Sequence, residues 1–474
     1  MKDLRDWLEK VDRRGELRTV EGADWHLEIG CVTELNIPRK NGPALLFDKI
    51  PGYPAGFRVL TCSTTTPGRL ALSMDLPPTD SDLELLQALQ EKLPVWDAGR
   101  EKFPPEVVAA GPILENVLSG EEVDLFKFPV PQWHAGDGGR YIGTGDAVIT
   151  QDPDTGEVNL GAYRMEVHDQ KTCGLKIIPA QHGRFHYEKY HARGKRCPIA
   201  VSLGHHPLVF RMACRELPPG SEYQYLGAIS GQAVQVIKEE ITGLPIPAAS
   251  EIVIAGWCPP DKTRAEGPFG EFTGYYAASP GPAPIVEVER IYYRNDPILL
   301  GSPPGRIGDS GYYQVLTGSA MLYSEFMKSH IPGIKGVWLH EVGKQMFIAV
   351  SLKQMYPGHV KEAALFVSQS RVGANLGRYV VIVDEDIDPT NVQDVIWALC
   401  TRSDPEKDID IIRRARGNPL DPIARKPAKE YFNSRALIDA CRPYEWRDEF
   451  PRAIQPSPDL INKVKQKWGY VLDF

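Results

Sequence analysis

The chain has 474 residues, of which 42% are hydrophobic and 24% are charged, an ordinary composition for a globular protein. This length exceeds what one hydrophobic core usually serves, so we expect two or three domains. The formal net charge of -8 offers no general attraction for nucleic acid or for an anionic membrane, and both classes of partner are set aside.

The cysteines and the amino terminus indicate a reducing, cytoplasmic location. The eight cysteines are scattered, without a Cys-x-x-Cys pair or the spacing of a metal finger, and reduced thiols are their simplest state. No apolar run approaches the roughly 20 residues that a membrane-spanning helix needs. The chain begins with charged residues that lead into an amphipathic helix, unlike a secretory signal peptide.

We expect residues 1–112 to form an N-terminal α/β domain. Asp3 is typical of a helix N-cap, and Gly15 lies beyond the predicted end of that helix. Four apolar residues share one face of the helix: Leu4, Trp7, Leu8 and Val11. A second helix is predicted from Asp82 to Leu93, bounded by Pro94.

The central region has the pattern of antiparallel strands. From about Val123 to Leu300, short β-branched runs alternate with turn clusters, as in an antiparallel barrel or sandwich. The first hairpin is predicted to pair Ala147–Thr150 with Glu157–Val167, and Ile285–Tyr292 is a later strand. We take residues 113–311 as this second domain.

The last third of the chain alternates strands and helices. A helix at residues 312–330 is predicted to link the barrel to a C-terminal α/β domain at residues 331–450, whose βαβα order implies a parallel sheet. Residues 451–474 form a C-terminal helix and tail, with Gly469 predicted as the helix end. The apolar stripe of this helix must dock on its own subunit or on a neighbour, which favours a homodimer or higher homo-oligomer.

One segment places two carboxylates around a tight loop: Glu266-Gly267-Pro268-Phe269-Gly270-Glu271. Proline fixes its own φ and glycine permits turns closed to other residues, so the loop can aim both glutamates at one place. Paired carboxylates in a partly desolvated site have pKa values that move apart, which suits acid/base chemistry. The alternative is a solvated surface loop that carries two ordinary acids.

Four further polar residues lie in the same strand-rich region: Asn159, Arg164, His182 and Glu222. An amide oxygen, an imidazole and a carboxylate together suit Mn²⁺ or Mg²⁺ with phosphate oxygens completing the shell. Gly161 and Gly183 suit a backbone that approaches a ligand closely. Each residue also has an ordinary explanation: a surface pair of Arg164 with Glu166, a satisfied core histidine, or a glutamate that precedes a strand.

Strand geometry raises one difficulty for this set. Asn159 and Arg164 are an odd number of residues apart, so strict alternation puts their side chains on opposite faces. Both can line one site only if the strand bulges or twists, and Gly161 is the predicted place.

In the order of its motifs the chain resembles the UbiD-like decarboxylases. The resemblance covers most of the chain, through these segments: Asn159-Leu160-Gly161-Ala162-Tyr163-Arg164, Gln181-His182, Ser221-Glu222-Tyr223, Ile237-Lys238, Pro247–Val253, Glu266–Glu271, Val380–Asp388, Asp394–Ala398 and Thr401-Arg402.

This resemblance implies a prenylated flavin mononucleotide (prFMN) in a split β-barrel domain, with Mn²⁺ (or Mg²⁺) bridging its phosphate to the protein and K⁺ nearby. By motif position, three residues match the family's divalent-metal ligands: Asn159, His182 and Glu222. Gln181 belongs to the same cofactor-binding set, and Met212-Ala213-Cys214 matches backbone around the phosphate and K⁺. Arg378 matches a basic phosphate contact at which family members often have Lys, a change that keeps the charge but alters the geometry.

The resemblance also implies catalytic roles. Arg164, Glu266 and Glu271 match the family's Glu-Arg-Glu network, in which Arg164 also lies at the cofactor. Loss of CO₂ from an sp² carbon needs an electron sink that no side chain provides, and the modified flavin supplies it. We assign Glu271 as the proton donor, with a pKa raised by burial and by Glu266.

Three alternatives remain at this point: a physiological carboxylase, a protein that binds prFMN without decarboxylase activity, and a flavin-free metallohydrolase. The expected partners are a small aromatic or unsaturated acid and a flavin prenyltransferase that supplies the cofactor. The substrate pocket is expected between the barrel and the C-terminal domain, with Phe272, Phe432 and Asn433 as candidate wall residues. Core packing is the favoured role for the two phenylalanines.

Overall fold

The computed structural model describes residues 3–39, 41–179, 181–276, 280–309, 311–418, 420–423, 432–454 and 456–472. The N-terminal elements are α1 (Leu4–Arg13), β1 (Leu17–Glu21), α2 (Glu28–Asn36), β2 (Ala44–Asp48), β3 (Arg58–Thr61), α3 (Pro67–Ser73) and α4 (Asp82–Gly99). β1 pairs in parallel with β2, and β2 pairs antiparallel with β3.

The first two predicted helices are present, but the second is longer than expected. The Asp3 carboxylate accepts the Asp6 N–H at 2.9 Å, and the predicted apolar face of α1 is buried. The end of α4 at Pro94 was wrong, because the helix continues to Gly99. Proline removes one helical hydrogen bond, but the next turn buries Trp96 in the core, and this burial favours continuing the helix.

The central part of the chain is rich in strands. Its elements are β4 (Glu106–Val107), β5 (Asn116–Ser119), β6 (Arg140–Gly143), β7 (Asp146–Gln151), β8 (Val158–Gly161), β9 (Met165–Asp169), β10 (Thr172–Gly174), α5 (His182–His191), β11 (Cys197–Leu203), α6 (Pro207–Ala213), α7 (Glu222–Ser230), β12 (Gln235–Lys238), β13 (Pro245–Pro247), β14 (Ile252–Cys258), β15 (Thr263–Glu266), β16 (Gly281–Tyr293) and β17 (Ile298–Leu300).

Ten strands of the described chain form one antiparallel sheet that curls into a half-barrel. Their order is β6-β9-β10-β16-β14-β11-β7-β8, and β5 and β15 also pair with β16. The predicted fold class, a split antiparallel barrel followed by an α/β region, is confirmed. β17 instead pairs in parallel with β3, so the chain returns to the N-terminal sheet before it continues.

The prediction of the first hairpin is confirmed for its first strand pair and wrong for the length of its second strand. β7 pairs with β8 as expected, but the strand predicted over Glu157–Val167 is broken, because β8 ends at Gly161 and β9 begins at Met165. β8 is one edge strand of the curled sheet, and β9 is the second strand from the opposite edge. Four residue steps span at most about 14 Å, so the sheet must curl enough to bring β8 and β9 within that reach.

This break removes the difficulty over Asn159 and Arg164. Gly161 is the last residue of β8 rather than a bulge, and residues 162–164 cross from β8 to β9. Strict alternation therefore does not relate the two side chains. We call residues 162–164 the crossing segment.

The C-terminal third begins with the predicted linking helix. Its elements are α8 (Gly311–Ser329), β18 (Ile334–Leu339), β19 (Phe347–Leu352), α9 (His359–Gln369), α10 (Gly373–Leu376), β20 (Tyr379–Asp384), α11 (Val392–Arg402), β21 (Ile409–Arg416), β22 (Phe432–Ala440) and α12 (Pro458–Leu472).

The C-terminal sheet is mixed rather than parallel, which corrects the prediction. Its order is β18-β19-β20-β22-β21, with parallel pairs in the centre and antiparallel pairs at both edges. The connection of residues 340–346 is too short for a parallel crossover, so β18 and β19 form a hairpin.

The last helix also differs from its prediction. α12 runs through Gly469, where a Cβ would meet no neighbouring atom. The described side chains of its apolar stripe are exposed, so the helix does not dock on its own subunit: Leu460, Ile461, Val464 and Trp468. Among the described residues no helix is long and apolar enough to cross a bilayer.

Candidate active site and cofactor cleft

A cleft of about 200 Å³ lies between the half-barrel and the C-terminal third of the chain. Arg164, Phe269 and Glu271 line it on the barrel side. Lining residues from α8 and from the connection between β18 and β19 face them: Gln314, Glu341, Lys344 and Gln345. The cleft is where the substrate pocket was expected. Phe272 lines it, whereas Phe432 and Asn433 are not among its described lining residues.

Arg164 joins both glutamates of the carboxylate loop. Its Nε donates to Glu266 Oε1 at 2.7 Å and its Nη2 donates to Glu266 Oε2 at 2.9 Å, a bidentate pair. Its Nη1 donates to Glu271 Oε1 at 2.9 Å. Arg164 lies at the end of the crossing segment, whereas Glu266 lies at the end of β15. Tertiary structure therefore brings the arginine to the loop that carries both glutamates. Glu266 is only 1% exposed, so the reading of the segment as a solvated loop was wrong.

Tyr141 and Glu166 form hydrogen bonds that fix the carboxylate loop Glu266–Glu271. The Tyr141 hydroxyl lies 3.2 Å from Glu166 Oε2 and 3.3 Å from Glu266 Oε1. Glu166 also accepts the Gly267 N–H at 2.9 Å. Glu166 is therefore buried behind the loop, and it is not a surface partner of Arg164.

An aromatic stack supports the same arrangement. The rings of Tyr141 and Phe269 stack with centroids 3.9 Å apart, and the Arg164 guanidinium carbon lies 5.4 Å from the Phe269 ring centroid. Such stacking and cation–π contacts fix the orientation of side chains in a partly dry site.

The protonation states follow from burial and from this pairing. Burial lowers the pKa of Arg164, but its hydrogen bonds and charge interaction with Glu266 raise the pKa by more than burial lowers it. The net change is upward, so the guanidinium stays charged. Burial and the charge of Glu266 raise the pKa of Glu166. Burial of Glu166 therefore favours its protonated form. The raised pKa assigned to Glu271 stays a prediction.

A second cluster lies at the other end of the crossing segment. Glu222 begins α7 and is 2% exposed, and its Oε2 has no hydrogen-bond partner among the described residues. Burial raises the pKa of Glu222 to about 8. Asn159 uses its amide nitrogen for the contacts to Tyr163 and Thr150, which leaves its oxygen for another partner. His182 is half-buried at the start of α5.

This donor set suits a hard divalent cation. It combines an amide oxygen, an imidazole and a buried carboxylate oxygen that lacks a partner within the described chain, and a cation would satisfy that oxygen. The roles of these three residues stay predictions.

The remaining predicted cofactor residues are spread over three places. Met212-Ala213-Cys214 ends α6: Ala213 O accepts the Ala162 N–H at 3.0 Å, and Cys214 lines the cleft. Burial raises the pKa of the Cys214 thiol to about 12, so it remains protonated. Gln181 is the exposed residue before α5. Arg378 forms an ion pair with Asp421 and is not among the described residues that line the cleft.

Sequence reasoning missed several residues of the cleft and its surroundings. They are Tyr141, Asp146, Tyr163, Glu166, Glu341 and Lys344. The pattern offered one usable signal: Glu166 follows Arg164 by two residues, the spacing of one strand face. Tyr141 and Lys344 lie far away in the chain, and no local pattern connects them with the loop.

Domain profiles of one protein family match the chain in three consecutive segments. They are described as the N-terminal, Rift-related and C-terminal domains of 3-octaprenyl-4-hydroxybenzoate carboxy-lyase (UbiD). The matched residues are 8–89, 106–307 and 312–440, respectively.

Individual relatives extend over nearly the whole chain. The chain is 32% identical over 463 residues to a phenolic acid decarboxylase of Sedimentibacter hydroxybenzoicus, a match that covers 93% of this chain and 92% of that protein. The open form of vanillic acid decarboxylase (ShVdcCD) from the same organism has a TM-score of 0.86 at 30% identity, over 100% of both chains. An evolved dimeric form of the UbiD-class enzyme HmfF from Pelotomaculum thermopropionicum, in complex with prFMN, has a TM-score of 0.80 at 27% identity. That match covers 97% of this chain and 98% of HmfF.

Proposed function

Because the chain belongs to the UbiD family, we propose that it is a non-oxidative decarboxylase of an aromatic, heteroaromatic or α,β-unsaturated carboxylic acid. The observation that carries the proposal is the pairing of one half-buried arginine with two glutamates at the wall of the cleft. A protein that only stores a flavin needs no such group beside its ligand. The reaction is reversible in principle, so a physiological carboxylase is the second candidate.

Prenylated FMN, when bound, would supply the electron sink for the carbanion that loss of CO₂ leaves on an sp² carbon. The chain's own residues do the rest. Arg164 holds Glu271 and offers a cation to the incoming carboxylate. Glu271 donates a proton to the carbon that has lost CO₂. Glu266 holds the guanidinium in place by its bidentate pair.

We assign cofactor binding to the second cluster and its surroundings. Mn²⁺ (or Mg²⁺) would be held by Asn159, His182 and Glu222, and the unpartnered oxygen of Glu222 supports this assignment. Backbone at Met212-Ala213-Cys214 would lie around the phosphate and K⁺. Gln181 and Arg378 complete the cofactor-binding set.

A panel of aromatic acids tests the function directly. The protein is co-expressed with a flavin prenyltransferase, and CO₂ release is measured for hydroxybenzoates, cinnamates and heteroaromatic acids. We expect release from at least one class, with isotope from labelled bicarbonate entering the same acid in the reverse direction. A yellow to brownish, prFMN-loaded protein that turns over no member of the panel in either direction would leave the flavin-binding alternative. A colourless protein that hydrolyses esters would favour the metallohydrolase.

We also propose a cytoplasmic homo-oligomer held together through α12. The helix exposes an apolar stripe, and Trp468 and Tyr470 are 44% and 78% exposed. Contiguous apolar surface of this kind commonly marks an interaction site. A variant that ends at residue 456 is expected to have a smaller mass in light scattering than the full chain. An unchanged mass would exclude α12 as the contact.

A further inference from the structure

Tyr163 occupies the middle of the crossing segment and is 5% exposed. Its ring lies against two glycines, one at the end of β8 and one in the first turn of α5. A Cβ on Gly161 would lie 2.1 Å from the ring Cζ, and a Cβ on Gly183 would lie 2.7 Å from the ring Cε2. Neither position can therefore carry a side chain. These glycines permit the close approach of Tyr163, and not of the ligand that the sequence pattern predicted.

The Tyr163 hydroxyl connects two separate elements. It accepts the Gly183 N–H at 3.2 Å and an Asn159 Nδ2–H at 3.3 Å. The Gly183 N–H belongs to the first turn of α5, whose N–H groups have no partner within the helix. The hydroxyl therefore caps α5 from outside the helix and at the same time holds the Asn159 side chain.

The orientation of Asn159 follows from these contacts. Its Nδ2 faces the Tyr163 hydroxyl and, at 3.5 Å, Thr150 Oγ1, which itself lies 2.9 Å from His186 Nδ1. With both hydroxyls on the nitrogen side, the amide oxygen points the other way. A cation binds the amide oxygen and is repelled by the NH₂ group, so a rotated amide would present the wrong end.

We propose that Tyr163 is a positioning residue of the metal site. Its hydroxyl turns the Asn159 amide oxygen toward the cation and fixes the first turn of α5, which carries His182. This inference rests on the proposed function, because it takes Asn159 and His182 as metal ligands. It adds that the crossing segment positions the metal site through Tyr163 and the catalytic network through Arg164, its neighbour in the chain.

Mn²⁺ binding to the metal-free protein tests the inference. Tyr163→Phe keeps the ring against both glycines and removes only the hydroxyl, so we expect the apparent Kd for Mn²⁺ to rise about 10–100-fold. Binding is followed by the loss of the free Mn²⁺ electron paramagnetic resonance signal, with FMN present. Tyr187→Phe is the matched control, because Tyr187 is equally buried on α5 and its hydroxyl makes none of these contacts. We expect it to bind Mn²⁺ like the wild type.

A double-mutant cycle separates positioning from packing. In an Asn159→Asp background the ligand has two oxygens and no NH₂ end, so losing the Tyr163 hydroxyl should then cost much less affinity. Thr150→Val, which removes the other hydroxyl at Nδ2, should weaken Mn²⁺ binding in the same direction and tests the inference should Tyr163→Phe fold poorly.

The outcomes are distinct. Wild-type affinity in both Tyr163→Phe and Thr150→Val would overturn the inference and leave the metal site intact. An equal loss of affinity from Tyr163→Phe in the wild-type background and in the Asn159→Asp background would overturn the orienting role. Wild-type protein that binds no Mn²⁺ would overturn both the inference and the proposed metal site.

Discussion

The two clusters at the ends of the segment 159–164 satisfy their charges in different ways. Around Arg164 the protein itself pairs the charges, because one guanidinium donates to both Glu266 and Glu271. At the other end the buried Glu222 Oε2 finds no hydrogen-bond partner anywhere in the described ranges. The Arg164 cluster, which is the proposed catalytic group, is thus preorganised in the protein alone. The Glu222 cluster, which is the proposed metal site, has an oxygen that a cation could complete.

This contrast predicts which property of the protein a substitution in each cluster should change. In the catalytic cluster, removing a group disturbs charges that the fold already pairs, so stability and turnover both respond. In the Glu222 cluster, removing a proposed metal ligand takes away little that the metal-free fold uses, so we expect the change in metal and cofactor binding.

The largest effect is expected at the metal end. His182→Ala and Glu222→Ala should each release metal and flavin together, because the proposed cation would link the protein to the cofactor phosphate. The visible absorbance and the metal content of the purified protein measure this loss. His191→Ala, at the far end of the same helix, serves as the control and should retain both. Full retention in the His182 and Glu222 variants would remove these residues from the ligand set.

The next effect concerns Glu271, the proposed proton donor, which can be changed without removing a proposed metal ligand. Glu271→Gln should retain flavin and metal but lose about 10²–10⁴-fold in turnover, the usual range for a general acid. Steady-state CO₂ release measures the loss. Glu240→Gln changes a solvent-exposed glutamate in the same way and should leave turnover unchanged. Near-normal turnover of Glu271→Gln would refute its role as the proton donor.

A matched pair of arginines sharpens the comparison for stability. Arg164→Leu leaves two carboxylates without their shared cation and should cost about 3–5 kcal/mol. Arg184→Leu removes a half-exposed partner of Glu188 and should cost no more than about 1 kcal/mol. Urea unfolding of the metal-free proteins gives both values. Equal costs would mean that the catalytic cluster is not held together by its charge pairing.

The smallest effect concerns Glu341, another carboxylate that lines the cleft. Burial raises the pKa of Glu341 from 4.5 to about 7, although the charge of Lys344 opposes the change. The folded state then holds a proton that the unfolded state has lost, so this group makes stability fall as pH rises from about 4.5 to about 7, with no further change above.

Glu341→Gln should remove that part of the pH dependence. Urea midpoints of the wild type and the variant at about pH 5 and about pH 7 measure it. The wild type should lose more stability over this interval than Glu341→Gln does. Parallel losses in the two proteins would contradict the raised pKa.

The sequence predicted individual elements better than it predicted their boundaries. The Asp3 cap and apolar face specify α1 locally, and α1 is present as predicted. Pro94 and Gly469 are local stop signals, but neither ends its helix. At Pro94 the next turn buries Trp96. At Gly469 a single glycine costs only about 1 kcal/mol, which is too little to stop the helix.

The sequence by itself determined the family, the carboxylate loop and the residue types of both clusters, because these are carried by short motifs in which every residue has a local reason. Only the tertiary structure decided that the strand breaks after Gly161, that Tyr141 and Glu166 hold the loop, and that Tyr163 reaches Asn159. The physical reason is that a period of two or 3.6 residues records which side of an element is buried, but not which edges of a curled sheet meet.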